Sequence, residues 1–434
     1  MRIVFATFSE KTHFIGMTPL AWALRAAGHE VCVASQPELA PTVAATGLPF
    51  VSVGSDHLLP QVIAWVRRMA EDTRPDFDMM RVTEPERPSL EVLGSGYRDV
   101  LIPLWWKVVS DPMLEDLVSF CRSWRPDLVI WEPITFSAAI AAEACGAAHA
   151  RFLWSLDLFA AMREQYLQRA AERPEATPDD PMRAWLEDRA ARHGVEFSET
   201  LIRGQFTLDH LPASLGVPAE TGTPRLPLRY VPYNGRAVVP DWLRTPPERP
   251  RVALSLGTTA TQRLGGYTVD VTALLEGLSD LDVEVVATLP VHEQAKLGTV
   301  PGNVRLVDYV PLHALAPTCD AMITHGGSGT VMSGLVYGVP QVTVAHHMYD
   351  EPLVASLLAA QGAGVAVDPA GPVPEDVRAG TALLLEEGRY AESARRLREE
   401  IAAMPSPADV AGRLAACAGE GADAGPQVVL TSGT

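Results

Sequence analysis

The sequence predicts an α/β protein made of two doubly wound, Rossmann-like domains facing a cleft. Three observations predict it. Short apolar runs alternate with helical patterns over the first 55 residues, and the same alternation restarts after residue 250. Between the halves prolines cluster at Pro218, Pro224, Pro227, Pro232, Pro240, Pro246, Pro247 and Pro250. Strand–helix alternation implies parallel sheets covered by helices, and a proline cluster marks a linker.

The elements follow in order. Ile3 to Phe8 is a buried strand. Thr18 to Ala27 is a helix with Leu20, Ala23, Leu24 and Ala27 on one face and Gly28 as its C-cap. Glu30 to Ser35 is a strand, Pro37 to Thr46 a helix ended by Gly47, and Pro49 to Val53 a strand. Residues 56 to 110 carry Trp65, Phe77, Tyr97, Trp105 and Trp106 without a single period, which reads as helices and loops over the C-terminal edge of the sheet. Asp127 to Trp131 and Ala150 to Trp154 are strands around a small-residue helix, Ser137 to Cys145. Residues 157 to 205 are charge-rich and read as an exposed helical insertion, broken near Pro174 to Pro181.

In the second half, Val252 to Leu256, Val283 to Thr288, Val304 to Val307, Ala321 to Thr324, Gln341 to Val344 and Val365 to Val367 are strands. Helices are expected at Gly266 to Leu278, Ser328 to Tyr337, Glu351 to Gln361, Pro374 to Glu387 and about 390 to 417. The domains expected are 1–212, a linker over 213–250, 251–417 with a last helix able to pack back on the first domain, and a mobile tail over 418–434.

Composition excludes several classes. With 434 residues, two to three domains are expected, and 47% hydrophobic with 20% charged residues suits a soluble protein with real cores. No run approaches the roughly 18 apolar residues of a membrane span. The apolar start Ile3 to Phe8 is too short for a signal peptide and is interrupted by Ser9-Glu10-Lys11. A net charge of −18 argues against a nucleic-acid partner. Five scattered cysteines, with no CxxC or metal-ligand spacing, read as reduced residues of a cytoplasmic protein.

The chemistry begins with Thr324-His325-Gly326-Gly327-Ser328-Gly329-Thr330, between a strand and a helix. Glycines there let the backbone turn so that several N–H groups and a positive helix end converge, which favours phosphate. The bland alternative is a packing turn with a satisfied histidine. On the functional reading, the N–H groups of Ser328, Gly329 and Thr330 hold diphosphate oxygens and His325 donates a hydrogen bond. Asp350 and Glu351, at the mouth of the next helix, either complement its dipole or accept hydrogen bonds from sugar hydroxyls.

Residues Asp308 to Gln361 resemble the donor-binding signature of family 1, inverting, nucleotide-sugar glycosyltransferases of the GT-B fold. Thr12-His13-Phe14, Pro19 to His29, Trp124 to Pro133 and Val231-Pro232-Tyr233-Asn234-Gly235 extend the likeness to the bacterial enzymes that attach deoxysugars to macrolide and anthracycline polyketide aglycones. The resemblance implies His13 as the base that deprotonates the acceptor, a task suited to imidazole near neutrality. Glu132 would hold the ring, and relatives often carry aspartate near that place. It further implies that Ser255, Gly257 and Thr258 approach the diphosphate and that Tyr309 and Val310 receive the base. Glu351 stands where many relatives have glutamine. A carboxylate cannot donate as an amide does, which leaves room for a less hydroxylated sugar. No metal and no cofactor is implied beyond a dTDP-deoxysugar co-substrate.

The partners on this reading are the aglycone, the dTDP-sugar and, in some relatives, an auxiliary protein resembling a P450 without haem. Residues 157 to 205 are one docking surface for it, with an acceptor lid or a solvated helical face as the alternative. A homodimer is left open. Two rival functions share the motifs: a GT-B nucleotide-sugar epimerase, and a non-catalytic nucleotide-sugar-binding or auxiliary protein.

Overall fold

Several strands are short apolar runs buried along their length, such as Ile3 to Ala6, Val31 to Ala34, Leu128 to Trp131 and Val252 to Leu254, the pattern of parallel strands covered on both faces. The computed structural model describes residues 1–69, 77–84, 87–173, 179–217, 222–263, 266–345 and 349–419. These divide into two units. One takes Met1–His210, Val217–Leu228 and the described part of Pro405–Thr434; the other takes Leu211–Gly216 and Arg229–Met404.

The first unit holds seven parallel strands: β1 (Arg2–Ala6), β2 (Glu30–Ser35), β3 (Phe50–Ser52), β4 (Leu128–Trp131), β5 (Ala148–Phe152), β6 (Phe206–Asp209) and β7 (Arg225–Pro227). Their order is β3-β2-β1-β4-β5-β6-β7. The order reverses between β1 and β4, paired in register from Ile3↔Leu128 to Ala6↔Trp131. In open α/β sheets that reversal is where ligands bind, beyond the strand C-termini. Helix α1 (Lys11–Ile15) leaves β1, and α2 (Thr18–Ala26) follows, closed by Gly28 at φ +90°. Leu20, Ala21 and Leu24 of α2 pack into a core with Ile3, Phe5 and Val33.

The structure departs from the sequence-based expectations in several places. β6 and β7 were not foreseen. β7 lies inside the stretch read as a linker and ends in Pro227, tolerated because β7 is an edge strand, where a missing N–H costs no ladder bond. Residues 157 to 205 are not an exposed insertion. Helix α3 (Leu158–Ala171) buries Leu158 to Arg163 and Tyr166, and α4 (Pro181–Ala191) buries Trp185 and Leu186. One charge that suggested exposure is buried and paired: Arg163 forks onto Asp180 at 2.9 and 2.8 Å and onto Glu199 at 3.1 and 2.6 Å. The stretch is therefore core on one side and exposed on the other, where Arg183, Glu187, Asp188 and Arg192 lie. Tyr97 and Trp106, counted among the loop aromatics, are also core, each 1% exposed and packed against one another.

The second unit repeats the architecture with β8 (Arg251–Ser255), β9 (Glu284–Thr288), β10 (Val304–Val307), β11 (Ala321–Thr324), β12 (Gln341–Val344) and β13 (Gly364–Val367), ordered β10-β9-β8-β11-β12-β13. Its reversal lies between β8 and β11. Helix α5 (Ser328–Leu335) follows β11, and α6 (Glu351–Ala360) precedes β13. The single final helix expected is two, α7 (Gly388–Ala403) and α8 (Pro407–Gly419), because Pro405 cannot continue the first. Val410, Ala411 and Leu414 of α8 join the first unit's core. The tail from 420 on lies outside the described residues. Among those described, no helix is long and apolar enough to cross a membrane.

Candidate functional site

At the reversal of the first sheet, three neighbouring strands each deliver one side chain. The Glu10 carboxylate caps α1 by accepting the Thr12 N–H at 3.4 Å, and His13 sits on α1, the helix that follows β1. Glu132, the residue after β4, donates its N–H to the Ala6 carbonyl at 3.1 Å, and its side chain is fully buried. His13 Nδ1 lies 3.2 Å from Glu132 Oε1. A carboxylate only accepts, so Nδ1 carries a proton, and in the neutral imidazole Nε2 is the nitrogen with the lone pair. Trp154, two residues past β5, donates its indole N–H to the same Oε1 at 3.0 Å. Its ring stacks on the imidazole at 4.3 Å and 21°. Phe8 meets the imidazole edge-on at 5.1 Å. Thr135 donates to Glu132 Oε2 at 2.7 Å while accepting the Phe8 N–H at 3.0 Å. Three donors thus compensate one buried carboxylate, as burial of a charge requires.

The second sheet's reversal is furnished differently. His325 follows β11, and its imidazole occupies room left by two glycines. A Cβ on Gly257 would lie 2.5 Å from His325 Cε1, and one on Gly327 would lie 2.3 Å from Nε2. Gly257, in the turn after Ser255 with Thr258 next, also has φ +72°, and Gly326 has φ +89° against Glu351 Cβ. Gly327 caps α5 without a side chain. The Thr330 N–H donates to the Gly327 carbonyl at 2.9 Å. This corrects the expectation that Thr330 offers its N–H to a ligand; the groups preceding the first helical bond are those of Ser328 and Gly329. Ser328 Oγ is buried and has no hydrogen-bond partner among the described residues.

The other donor-side residues fall around this loop or apart from it. Glu351 accepts the Tyr349 N–H at 2.7 Å, so its carboxylate holds its own turn. Asp350 is buried, and His346 to Met348 lie outside the described residues. Tyr309 and Val310 follow β10, the edge strand, with β9 between it and β8. The Tyr309 hydroxyl donates to the Asn234 carbonyl, and Asn234 Oδ1 accepts the His313 N–H at 3.0 Å. Burial pushes the Tyr309 hydroxyl pKa up.

Three residues of these sites went unread in the sequence. Trp154 and Thr135 had a usable signal: one lies just beyond a strand at the same edge as Glu132, the other three residues past it. Tyr230 donates to the Gly329 carbonyl at 3.1 Å, beside Ser333 at 2.7 Å, and lay in a stretch read as linker. Burial raises the Tyr230 pKa and the Ser333 contact partly offsets this, keeping the hydroxyl a donor.

The N-terminal and C-terminal domain models of the erythromycin biosynthesis protein CIII-like family match residues 22–257 and 272–417. The chain belongs to the erythromycin biosynthesis protein CIII-like family. This CIII-like chain is 43% identical over 412 residues to a 10-deoxymethynolide desosaminyltransferase of Streptomyces venezuelae, covering 94% of the chain and 95% of the relative. It is 43% identical over 421 residues to an aklavinone 7-beta-L-rhodosaminyltransferase of Streptomyces galilaeus, covering 94% of each. Among solved structures, the glycosyltransferase VinC in complex with dTDP superposes with a TM-score of 0.82 at 36% identity, over 97% of this chain and all of that one. The CIII-like chain is a glycosyltransferase with the two Rossmann-like domains of the GT-B fold.

Proposed function

We propose that this CIII-like protein transfers a deoxysugar from a dTDP-sugar to a hydroxyl of a macrolide- or anthracycline-type aglycone, in one inverting displacement. The observation that carries the reading is the fully buried Glu132 carboxylate bonded to His13 Nδ1. Burying a charge to orient one imidazole is costly and is suited to a base whose Nε2 must receive a proton. A protein that only binds nucleotide-sugars has no use for that arrangement, and an epimerase acting on its donor alone needs no acceptor base.

His13 Nε2 takes the proton of the acceptor hydroxyl. The oxygen attacks the anomeric carbon, a new C–O bond forms, and the bond to the diphosphate breaks with its electron pair, releasing dTDP. The single attack from the opposite face inverts the carbon. Glu132 stabilises the imidazolium that forms; general-base catalysis of this kind contributes roughly 10²–10⁴-fold. The diphosphate is assigned to the N–H groups of Ser328 and Gly329, the Ser328 hydroxyl, His325 and the positive end of α5. Ser255, Gly257, Thr258, Gly326, Gly327 and Thr330 shape that cradle, as Glu351 does by packing on Gly326. Tyr309 and Val310 are assigned to the thymine, and Asp350 to the sugar side. Cys32, Cys121, Cys145 and Cys319 are free thiols, which fits the cytoplasm.

The test is to incubate the enzyme with a labelled dTDP-deoxysugar, with and without a polyketide aglycone. Release of dTDP that depends on the aglycone and matches glycoside formed supports transfer. Conversion of the donor at the same rate without aglycone would show an epimerase or hydrolase instead.

A further inference from the structure

The Glu132–His13 pair does not stand alone, and the residues around it divide a specific task. Glu132 Oε1 accepts from two donors, His13 Nδ1 at 3.2 Å and Trp154 Nε1 at 3.0 Å. Oε2 accepts the Thr135 hydroxyl at 2.7 Å. Trp154 also lies nearly parallel to the imidazole, 4.3 Å away, and Thr135 is anchored by the Phe8 N–H at 3.0 Å. One indole therefore touches both members of the pair, through its edge to the carboxylate and through its face to the ring. Phenylalanine would supply the face and not the N–H; leucine would supply neither.

We propose that Trp154 and Thr135 are positioning residues that set how strongly Glu132 acts on the catalytic base. The inference rests on His13 being that base. A hydrogen bond donated to a carboxylate drains the charge it can lend to another partner. With both donors in place, Glu132 holds the imidazole in one tautomer and one plane without binding its protonated form too tightly. The stacked indole face favours the imidazolium through its π electrons, and it blocks rotation of the ring away from the acceptor. Side chains held this way keep the reacting lone pair aimed, and small misplacements of such groups are known to cost large factors in rate.

The test is the pH dependence of kcat/KM for Trp154→Phe and for the pair Thr135→Val and Thr135→Ser, beside His13→Ala. Removing either donor leaves Glu132 bearing more strongly on His13, so protonated His13 is favoured. The acid limb of the profile is then expected to move to higher pH by about half a unit to one unit in Trp154→Phe and Thr135→Val. kcat should fall roughly ten-fold or more, with KM for the dTDP-sugar within about two-fold. Thr135→Ser keeps the hydroxyl and should restore the wild-type limb. A residue that served packing alone would lower thermal stability and leave the limb in place. Limbs of Trp154→Phe and Thr135→Val that superpose on wild type would overturn the proposal. Near-normal turnover of His13→Ala would instead overturn the base assignment beneath it, whatever the limbs do. The Thr135 pair decides the question independently should Trp154→Phe not fold.

Discussion

The two sheets reverse strand order in the same way, at β1/β4 and at β8/β11, yet the two reversal points secure a histidine by opposite means. His13 is fixed by what surrounds it: a buried carboxylate, an indole above it and a phenyl edge beside it. His325 is accommodated by what is missing, the side chains that Gly257 and Gly327 lack. The difference teaches where each site is fragile. The first should suffer from losing polar atoms, because each donor and acceptor there compensates another. The second should suffer from gaining atoms, because its geometry is backbone and empty volume. That division suits the tasks assigned to them: a proton acceptor needs a tuned, oriented side chain, and a diphosphate needs close approach to N–H groups that any Cβ would obstruct.

The comparison can be broken from either side. The largest of these effects is expected for Glu132→Gln. It keeps the shape but removes the charge that stabilises the imidazolium, and its amide NH₂ must face either His13 and Trp154 on one side or Thr135 on the other, where the carboxylate oxygens accept. We expect kcat to fall about 100-fold, with dTDP affinity unchanged in a fluorescence or calorimetric titration. A loss confined to dTDP binding would erase the distinction between the two sites.

Gly257→Ala should do the reverse. At φ +72° an alanine pays about 1–2 kcal/mol of backbone strain, and its Cβ would meet the His325 ring at 2.5 Å. We expect dTDP affinity to weaken about ten-fold, a displacement of order 1.4 kcal/mol, and the melting temperature to drop. The pH profile of the residual turnover should keep its wild-type acid limb, since His13 is untouched. A shifted limb would couple the two histidines in a way this account does not contain.

Tyr230→Phe is the mildest. The Gly329 carbonyl keeps its bond from Ser333, so the loss should be about 0.5–1.5 kcal/mol of stability, read by denaturant titration, with dTDP affinity changed less than about three-fold. A large loss of affinity would mean that the tyrosine, rather than the glycines, sets the loop.

The sequence was legible in proportion to how local each signal is. The glycine run, its preceding strand and its following helix lie in one short stretch, Ala321 to Leu335, so turn, dipole and phosphate preference can be read together. The His13–Glu132 pair spans 119 residues, yet His13 lies on the helix that follows one buried strand and Glu132 just past another, and a parallel sheet brings such ends to one edge. What resisted reading was partnership. Arg163 looks like a solvated charge until Asp180 and Glu199 are seen on either side of it. Composition cannot distinguish a buried, paired cation from an exposed one. β7 was hidden because prolines argue for a linker, and only an edge position reconciles Pro227 with a strand. Thr330 was read as a ligand donor because its N–H belongs to the helix start, but the three-residue bond to Gly327 is a matter of backbone geometry. Trp154 was counted as the end of a strand; its bond to Glu132 depends on which strands neighbour each other.

The central claim is that proton removal and diphosphate holding are separate duties of the two sites. Its most direct test is to titrate His13→Ala and Gly327→Ala with dTDP by calorimetry and to assay both for transfer to an aglycone. The account predicts that His13→Ala binds dTDP within about two-fold of wild type while transfer falls by roughly 10²–10⁴-fold. It predicts that Gly327→Ala, whose Cβ would lie 2.3 Å from His325 Nε2, loses dTDP binding about ten-fold or more. Near-normal transfer by His13→Ala, or wild-type dTDP binding by Gly327→Ala, would contradict it.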